Sequence, residues 1–404
     1  MYKRQVLYIG NGIRLAGAEK EIHKLINLLK IPVLTSYAGY DLIPSDHPYF
    51  FGRGHAFGQR AANFVLQNSD LLLSIGARFD IRTIGFTYKA FARKAYKIMV
   101  DIDMREIKKP ILSIDLPVNY DAKQFITEMT RKLLPTSGVG NPVKVIQNKK
   151  ISSWFTYGRE LNKRYPIVLK EYWKEKKAVN PYCFIETVGK YLEQNELIVV
   201  SDGVGPLNCM YQAFHVKPGQ RIILNNGTAQ MGYGLPAAIG VAFATNKKKR
   251  IICFEGDGSL QLNLHELGVM AYHKLPIKLF LYNNGGYLSI MNTQRGLFES
   301  KLVGSSTETG VPTVDFIKLA KVYGFKTVKI NNHSDMEKGI KKVLKTPGPV
   351  FCEINSTRDT KLTPKLMAKK LPNGQFVSPP LEDMGPFLPR DEFKKNMLIP
   401  LWEE

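Results

Sequence analysis

The chain has 404 residues with four scattered cysteines and no C-x-x-C pair, which allows about two or three domains and excludes a disulfide-stapled scaffold. No apolar run approaches the ~18 residues that cross a bilayer, and no signal peptide is legible, so the expectation is a cytoplasmic protein without a membrane partner. The formal charge of +22 comes from basic residues spread through helices and loops, with only short runs such as Lys247-Lys248-Lys249-Arg250. No nucleic-acid module accompanies them, and the charge reads as a Lys-rich surface that attracts anionic ligands.

Residues 1–135 read as one α/β domain. Short apolar runs bounded by turn residues predict strands at 6–9, 32–35, 71–75 and 97–101, with helical spacing over 18–29 and 59–67. VLYIGNGIRLAG (6–17) has the form of a glycine-rich turn feeding a helix, a weak signal alone. A nicotinamide site wants an acid at the end of the second strand, and Thr35-Ser36-Tyr37 stands there instead. Residues 136–178 read as a linker, with turn chemistry at 137–142 (SGVGNP) and a polar helix over 154–172. A second α/β domain is predicted over 179–360, with strands at 197–201, 221–224, 251–254, 277–282, 327–330 and 350–354. Residues 361–404, rich in Pro and Lys, are expected as a tail draped over the surface. The fold class is α/β, with two doubly wound parallel-sheet domains.

Residues 250–292 carry the chemistry. Ile251 to Phe254 reads as a buried strand, Leu260, Leu264, Leu267 and Met270 recur at helical spacing, and a second apolar run follows Pro276. In such a strand–helix–strand unit the strands are parallel and end on one sheet edge, where open α/β folds bind ligands. Asp257 leaves the first strand and Asn284 the second. One carboxylate and one amide oxygen suit Mg²⁺, which keeps about two protein oxygens and takes the rest from phosphate and water. Gly256 and Gly258 allow close backbone approach, and the helix beginning near Leu260 points free N–H groups at an anion. Either turn alone reads equally well as plain structure; the pair, in this order and spacing, reads as a metal-held diphosphate site.

Gly256-Asp257-Gly258-Ser259, with Asn284 of an Asn pair 27 positions after Asp257, resembles the thiamine diphosphate signature of the acetohydroxyacid (acetolactate) synthase-like enzymes. QMGYGLPAAIG (230–240) and IGARFD (75–80) resemble further segments of that family in the same order, so the resemblance covers nearly the whole chain. It implies thiamine diphosphate and Mg²⁺ as cofactors, with Asp257, Asn284 and Gly286 on the metal. Gly256, Gly258, Ser259, Gly285, Tyr287, Leu288 and Ser289 belong to the cofactor site on the same resemblance. Met231 is the apolar wedge that bends the cofactor, the catalytic contribution of this chain, and Ala229 and Gln230 offer backbone groups to its aminopyrimidine. The family's middle domain carries FAD in the synthases, which makes FAD a third candidate cofactor. On that analogy residues 10–12, 55–58, 101–102, 121–122 and 76–80 match flavin-contacting segments, with Gly76, Arg78, Asp80 and Asp101 as the contacts. Where family members place Met-His-Gly, this chain has Ala56-Phe57-Gly58, and some relatives keep the domain without flavin.

The resemblance also sets expectations about what the chain does. In the family an activating glutamate lies on a pyrimidine-binding domain that nothing here matches, so the expectation is a fragment that binds and turns over poorly alone. Thr293 falls where the synthases carry a tryptophan shaping the acceptor pocket, and SDGVGPLN (201–208) lacks their Gln-His. The expected reaction is decarboxylation of a 2-oxo acid such as pyruvate and its carboligation onto a carbonyl acceptor bulkier than a second 2-oxo acid. The alternatives are two-carbon transfer to a ketosugar in surface polysaccharide synthesis, and a non-catalytic cofactor-binding subunit. A homodimer or homotetramer is implied.

Overall fold

The computed structural model describes residues 2–134, 149–225, 227–370 and 373–403. They form two units, Met1–Ile167 with Thr363–Glu404, and Val168–Leu362. The first unit is built on six parallel strands, β1 (Gln5–Ile9), β2 (Val33–Thr35), β3 (Phe50–Gly52), β4 (Leu71–Ile75), β5 (Tyr96–Asp101) and β6 (Leu116–Asn119), in the order β3-β2-β1-β4-β5-β6. Val6 to Ile9 are wholly buried, as required of a parallel strand covered on both faces. Ile22, Leu25, Ile26 and Leu29 of the helix Glu19–Leu29 pack on one face of the sheet, joined by Ile126 of the helix Ala122–Leu133. The helix Arg60–Gln67 belongs to the core on the other face.

Strand order reverses between β1 and β4, which sets the loop after Ile9 beside the loop after Ile75. A Cβ on Gly10 would lie 2.2 Å from the Gly76 carbonyl oxygen, and one on Gly12 would lie 2.6 Å from the Gly76 Cα. These glycines let the two loops pack on each other, and the helix that follows runs only Gly12–Leu15.

Residues 363–404 do not drape over the surface. Leu381 and Met384 are fully buried in the first unit, and Phe393 joins its core beside Phe64. The carbonyls of this proline-rich segment find donors on the Arg60–Gln67 helix. Asn63 donates to the Leu381 carbonyl at 3.0 Å, and Arg60 donates to those of Met384 and Pro386 at 3.0 and 2.6 Å. Arg93 pairs with Glu382 at 2.8 Å. The region read as a linker also contributes to this unit. Within the helix Lys149–Arg164, Trp154 is buried and donates to the Gln5 carbonyl at 3.1 Å. The SGVGNP turn at 137–142 lies outside the described residues.

The second unit has six parallel strands, β7 (Leu197–Val200), β8 (Arg221–Leu224), β9 (Ile251–Gly256), β10 (Ile277–Asn283), β11 (Lys326–Ile330) and β12 (Val350–Asn355), in the order β11-β12-β10-β9-β7-β8. β9 and β10 pair in register from Ile251 opposite Ile277 to Gly256 opposite Tyr282. The helices Asp257–Leu260 and Glu266–Tyr272 lie between them in sequence, as the strand–helix–strand reading expects. All four cysteines are free and buried. Among the described residues no helix is long and apolar enough to cross a membrane.

Truncating Leu381 should cost the first unit about 3 kcal/mol, the usual range for a buried leucine. The test is denaturant unfolding of Leu381→Ala followed by tryptophan fluorescence in a Trp173→Phe background, which leaves only first-unit tryptophans, and an unchanged midpoint would return this segment to the surface.

Candidate functional site

Chain direction in the second sheet brings four loops to one edge. The chain runs from β7 outward to β8 and returns to β9 on the other side of β7, so the carboxyl ends of β7 and β9 flank the switch point where such sheets bind ligands. Ser201 follows β7, the segment 225–235 follows β8, Asp257 begins at the end of β9, and Asn284 follows β10.

Asp257 is the anchor of this edge. Its side chain is buried, and its Oδ2 accepts from the Gly285 and Gly286 amides at 2.7 and 2.9 Å. The turn after β10 is thereby held onto the turn after β9. Gly285 and Gly286 have φ of +75° and +142°, which a side chain would strain. Burial pushes the Asp257 carboxyl up to about 6, opposed by hydrogen bonds from the backbone amides around it. The neighbouring Asn284 is buried too, and its Oδ1 has no hydrogen-bond partner. An orphaned buried acceptor costs about 1–3 kcal/mol, which a cation at this point would offset. Among the described residues no three His, Cys, Asp or Glu side chains gather to hold a metal by themselves. The remaining oxygens of any cation here come from backbone, water or the ligand.

The loop after β8 is pinned to the same turn. Ser259 Oγ accepts from the Gly232 amide at 2.6 Å and lies 2.9 Å from Ser201 Oγ. Asn263 donates to the Gly232 carbonyl at 2.7 Å. Ala229, at φ +51°, donates to the Asn225 carbonyl, and the Asn225 and Gln230 side chains are hydrogen-bonded. Met231, next to Gly232, is half-buried while Gly232 is buried. Met231, the expected wedge, is therefore next to the residue that Ser259 of the Asp257 turn holds.

Two groups with partners at this edge were not singled out in the sequence. Glu255 is wholly buried, accepts from the Gly256 and Leu235 amides at 3.1 and 3.2 Å, and is pushed up to about 7 by burial. The Ser201 and Ser259 hydroxyls beside the same carboxyl pull it back down in part. The only hint was an acid closing an otherwise apolar strand. Arg358, after β12, lies across Gly285, where a Cβ would stand 2.2 Å from the guanidinium, and it pairs with Glu308 at 2.5 Å. A polar cavity of about 470 Å³ beside Asn284 is lined by Asn283, Gly285, Lys329 and Arg358 among others.

The other expected residues divide. The ring of Tyr287 covers Gly258, whose Cβ would come within 2.6 Å of it, and Leu288 is buried. Ser289 is exposed on the first turn of the helix Leu288–Leu297, and Thr293, also exposed, donates to its carbonyl at 3.2 Å. In the first unit the expected flavin contacts each have work inside the protein. Arg78, largely exposed, pairs with Glu106 at 2.9 Å. Asp80 caps the helix Ile81–Ile84, Asp101 accepts from the Asp103 amide at 2.9 Å, and Gly76 packs on Gly12. Arg78, Asp80 and Asp101 carry no orphaned buried side-chain atom.

Known families match both units. Residues 2–129 match the thiamine pyrophosphate enzyme central domain, and residues 203–354 match the thiamine pyrophosphate enzyme C-terminal TPP binding domain. The chain is 31% identical over 355 residues to the acetolactate synthase large subunit of Cyanidium caldarium, covering 87% of this chain and 57% of that protein. It is 29% identical over 368 residues to the acetolactate synthase isozyme 1 large subunit of Escherichia coli (strain K12), covering 90% and 60%. The acetolactate synthase large subunit of Porphyra purpurea is 31% identical over 374 residues, covering 92% and 60%. The chain thus spans about three fifths of the length of these relatives. The acidic turn, the paired asparagines and both matched regions make this chain a member of the thiamine pyrophosphate enzymes, carrying their central domain and their C-terminal TPP-binding domain.

Proposed function

We propose that the chain serves a thiamine diphosphate- and Mg²⁺-dependent 2-oxo acid decarboxylase/carboligase of the acetolactate synthase kind. The observation that carries this reading is the pairing of buried Asp257 with the orphaned Oδ1 of Asn284 at neighbouring strand ends. Two such oxygens suit a cation shared with a diphosphate. Asp257 and Asn284, with Gly286, would hold Mg²⁺, while Gly256, Gly258 and Ser259 leave room for the diphosphate at the turn. Met231, with Ala229 and Gln230 before it, would face the ring end of the cofactor. Thiamine diphosphate supplies the electron sink for cleavage beside a carbonyl. The protein's part is to orient the cofactor, hold its charge and keep water from the reacting carbon. FAD stays outside the proposal.

Asp257→Ala should lower Mg²⁺-dependent thiamine diphosphate affinity by at least the 10–100-fold or so seen when a metal's outer partners are removed, and Asn284→Ala should weaken it less. Calorimetric titration with and without Mg²⁺ reads both, and undiminished affinity in Asp257→Ala sinks the metal assignment.

The Asp257 carboxyl also gives a pH signature. Its folded value near 6 lies above the unfolded value of about 4, so the unliganded fold prefers the proton. Stability from this group is fully present below pH ~4 and is lost as pH rises through about 6, by up to about 2–3 kcal/mol. Asp257→Asn should therefore stabilise the unliganded protein at pH 8 by about 2 kcal/mol and hardly at all at pH 4. Melting curves at the two pH values check this; equal shifts at both would place the carboxyl in a wetter setting.

Thr293 is small and exposed at the position where the resembling synthases carry a tryptophan. An acceptor bulkier than pyruvate, a ketosugar among them, should therefore compete well. Pyruvate is offered together with a larger aldehyde or ketosugar, and products are weighed by mass spectrometry. Acetolactate as the dominant product would leave the plain synthase reading.

A further inference from the structure

The Glu255 carboxyl stands at a junction of three chain segments. It is the penultimate residue of β9 and wholly buried. Its Oε2 accepts from the Leu235 amide, in the first turn of the helix Gly234–Ala244, at 3.2 Å. Its Oε1 accepts from the Gly256 amide at 3.1 Å, immediately before Asp257. The hydroxyls of Ser201, at the end of β7, and Ser259, in the acidic turn, stand 2.9 Å apart beside it and favour its charged form. Ser259 in turn holds the Gly232 amide at 2.6 Å. Gly234 shows how close the fit is. A Cβ there would stand 2.4 Å from Glu255 Oε2 and 2.7 Å from the Ser201 Cβ, so only glycine lets the helix start against the carboxyl. Met231 precedes Gly232 by one residue, and Leu235 follows it by three. The segment that presents Met231 is thus gripped on its C-terminal side at two amides, one by Glu255 directly and one through Ser259.

We infer that Glu255 is a positioning residue, which through Ser259 and the Gly232 and Leu235 amides fixes Met231 relative to Asp257 and so sets how the ring end of the bound cofactor is held. The inference rests on the proposed cofactor reading and deepens it. A burial-only role for Glu255 is served by any group that fills its space. A positioning role is served only by a group that accepts from Leu235 and engages the serines. Glutamine keeps one accepting oxygen in the same place; leucine fills the space with none. Loss of a buried hydrogen bond of this kind is about tenfold in an equilibrium constant.

The test uses the 404-residue chain and three variants, Glu255→Gln, Glu255→Leu and Met231→Ala, with the Glu255→Leu/Met231→Ala double. Two ligands are titrated calorimetrically in Mg²⁺: thiamine diphosphate, which has the rings, and inorganic diphosphate, which lacks them. Amide exchange over 229–235 is followed by mass spectrometry without ligand. Glu255→Leu should weaken thiamine diphosphate about tenfold, leave inorganic diphosphate within about twofold, and speed exchange over 229–235 about tenfold, while Glu255→Gln restores most of each. The double variant should lose little more than either single one, because both changes act on the same contact. Equal weakening of the two ligands, fully additive losses, or unchanged exchange in Glu255→Leu overturns the inference. Because the chain is expected to bind weakly alone, uptake of neither ligand by the wild type leaves the cofactor reading to the assembled enzyme, and the exchange comparison alone decides whether Glu255 holds the segment.

Discussion

The second unit depends on one parallel pairing, β9 against β10, and on the carboxylate that closes its end. In-register pairing up to Gly256 opposite Tyr282 fixes the distance between the two turns that follow. Asp257 then spans that distance and accepts from two amides of the opposite turn. Without the pairing, Asp257 and Asn284 are unrelated polar residues in separate loops. With it, an anion and an orphaned amide oxygen share one corner, and at Gly258, Gly285 and Gly286 beside them a side chain would collide or strain. The chemistry is a consequence of strand register.

That much was legible in the sequence, because buried parallel strands are written as unbroken apolar runs and their ends as abrupt turns. Ile251 to Phe254 and Ile277 to Tyr282 could hardly be read otherwise. The strands that escaped notice lie at sheet edges. β3 is three residues long, and β6 is half-polar, largely exposed and carries Pro117, which an edge position tolerates. Glu255 and Arg358 escaped for a different reason. Their roles depend on partners 20 and 73 positions away, Leu235 and Gly285, and no local pattern encodes such a meeting. The C-terminal segment was misjudged on composition. Its prolines and lysines suggested solvent, yet Asn63 and Arg60 supply the donors its carbonyls need, so Leu381 and Met384 are buried at no cost in unsatisfied backbone.

The first unit shows how the same strand grammar yields a different outcome. Its strand order is that of nucleotide-binding sheets, and its β1 and β4 loops meet at the switch point. There the glycines serve loop-to-loop packing, with Gly10 and Gly12 pressed on Gly76. In the second unit Gly285 and Gly286 serve turn geometry beneath an unpartnered acceptor. A glycine pattern has the same appearance in both; what differs is what lies where the Cβ would be, the backbone of a second loop at Gly10 and Gly12 and the Arg358 guanidinium at Gly285.

The acidic corner is itself a compromise. Glu255 and Asp257, two residues apart, are both buried and both held above the ordinary carboxylate range by desolvation, near 7 and 6. Two adjacent buried anions disfavour the unliganded fold at neutral pH, and hydrogen bonds from Leu235, Gly256, Gly285 and Gly286 offset only part of that. A divalent cation at Asp257 favours the charged form, so occupancy and stability rise together. The protein donor set is too sparse to retain the cation alone, and a diphosphate without it would meet buried negative charge. Metal and diphosphate would thus each complete the other's ligand set, which is the pairing the proposed function calls for.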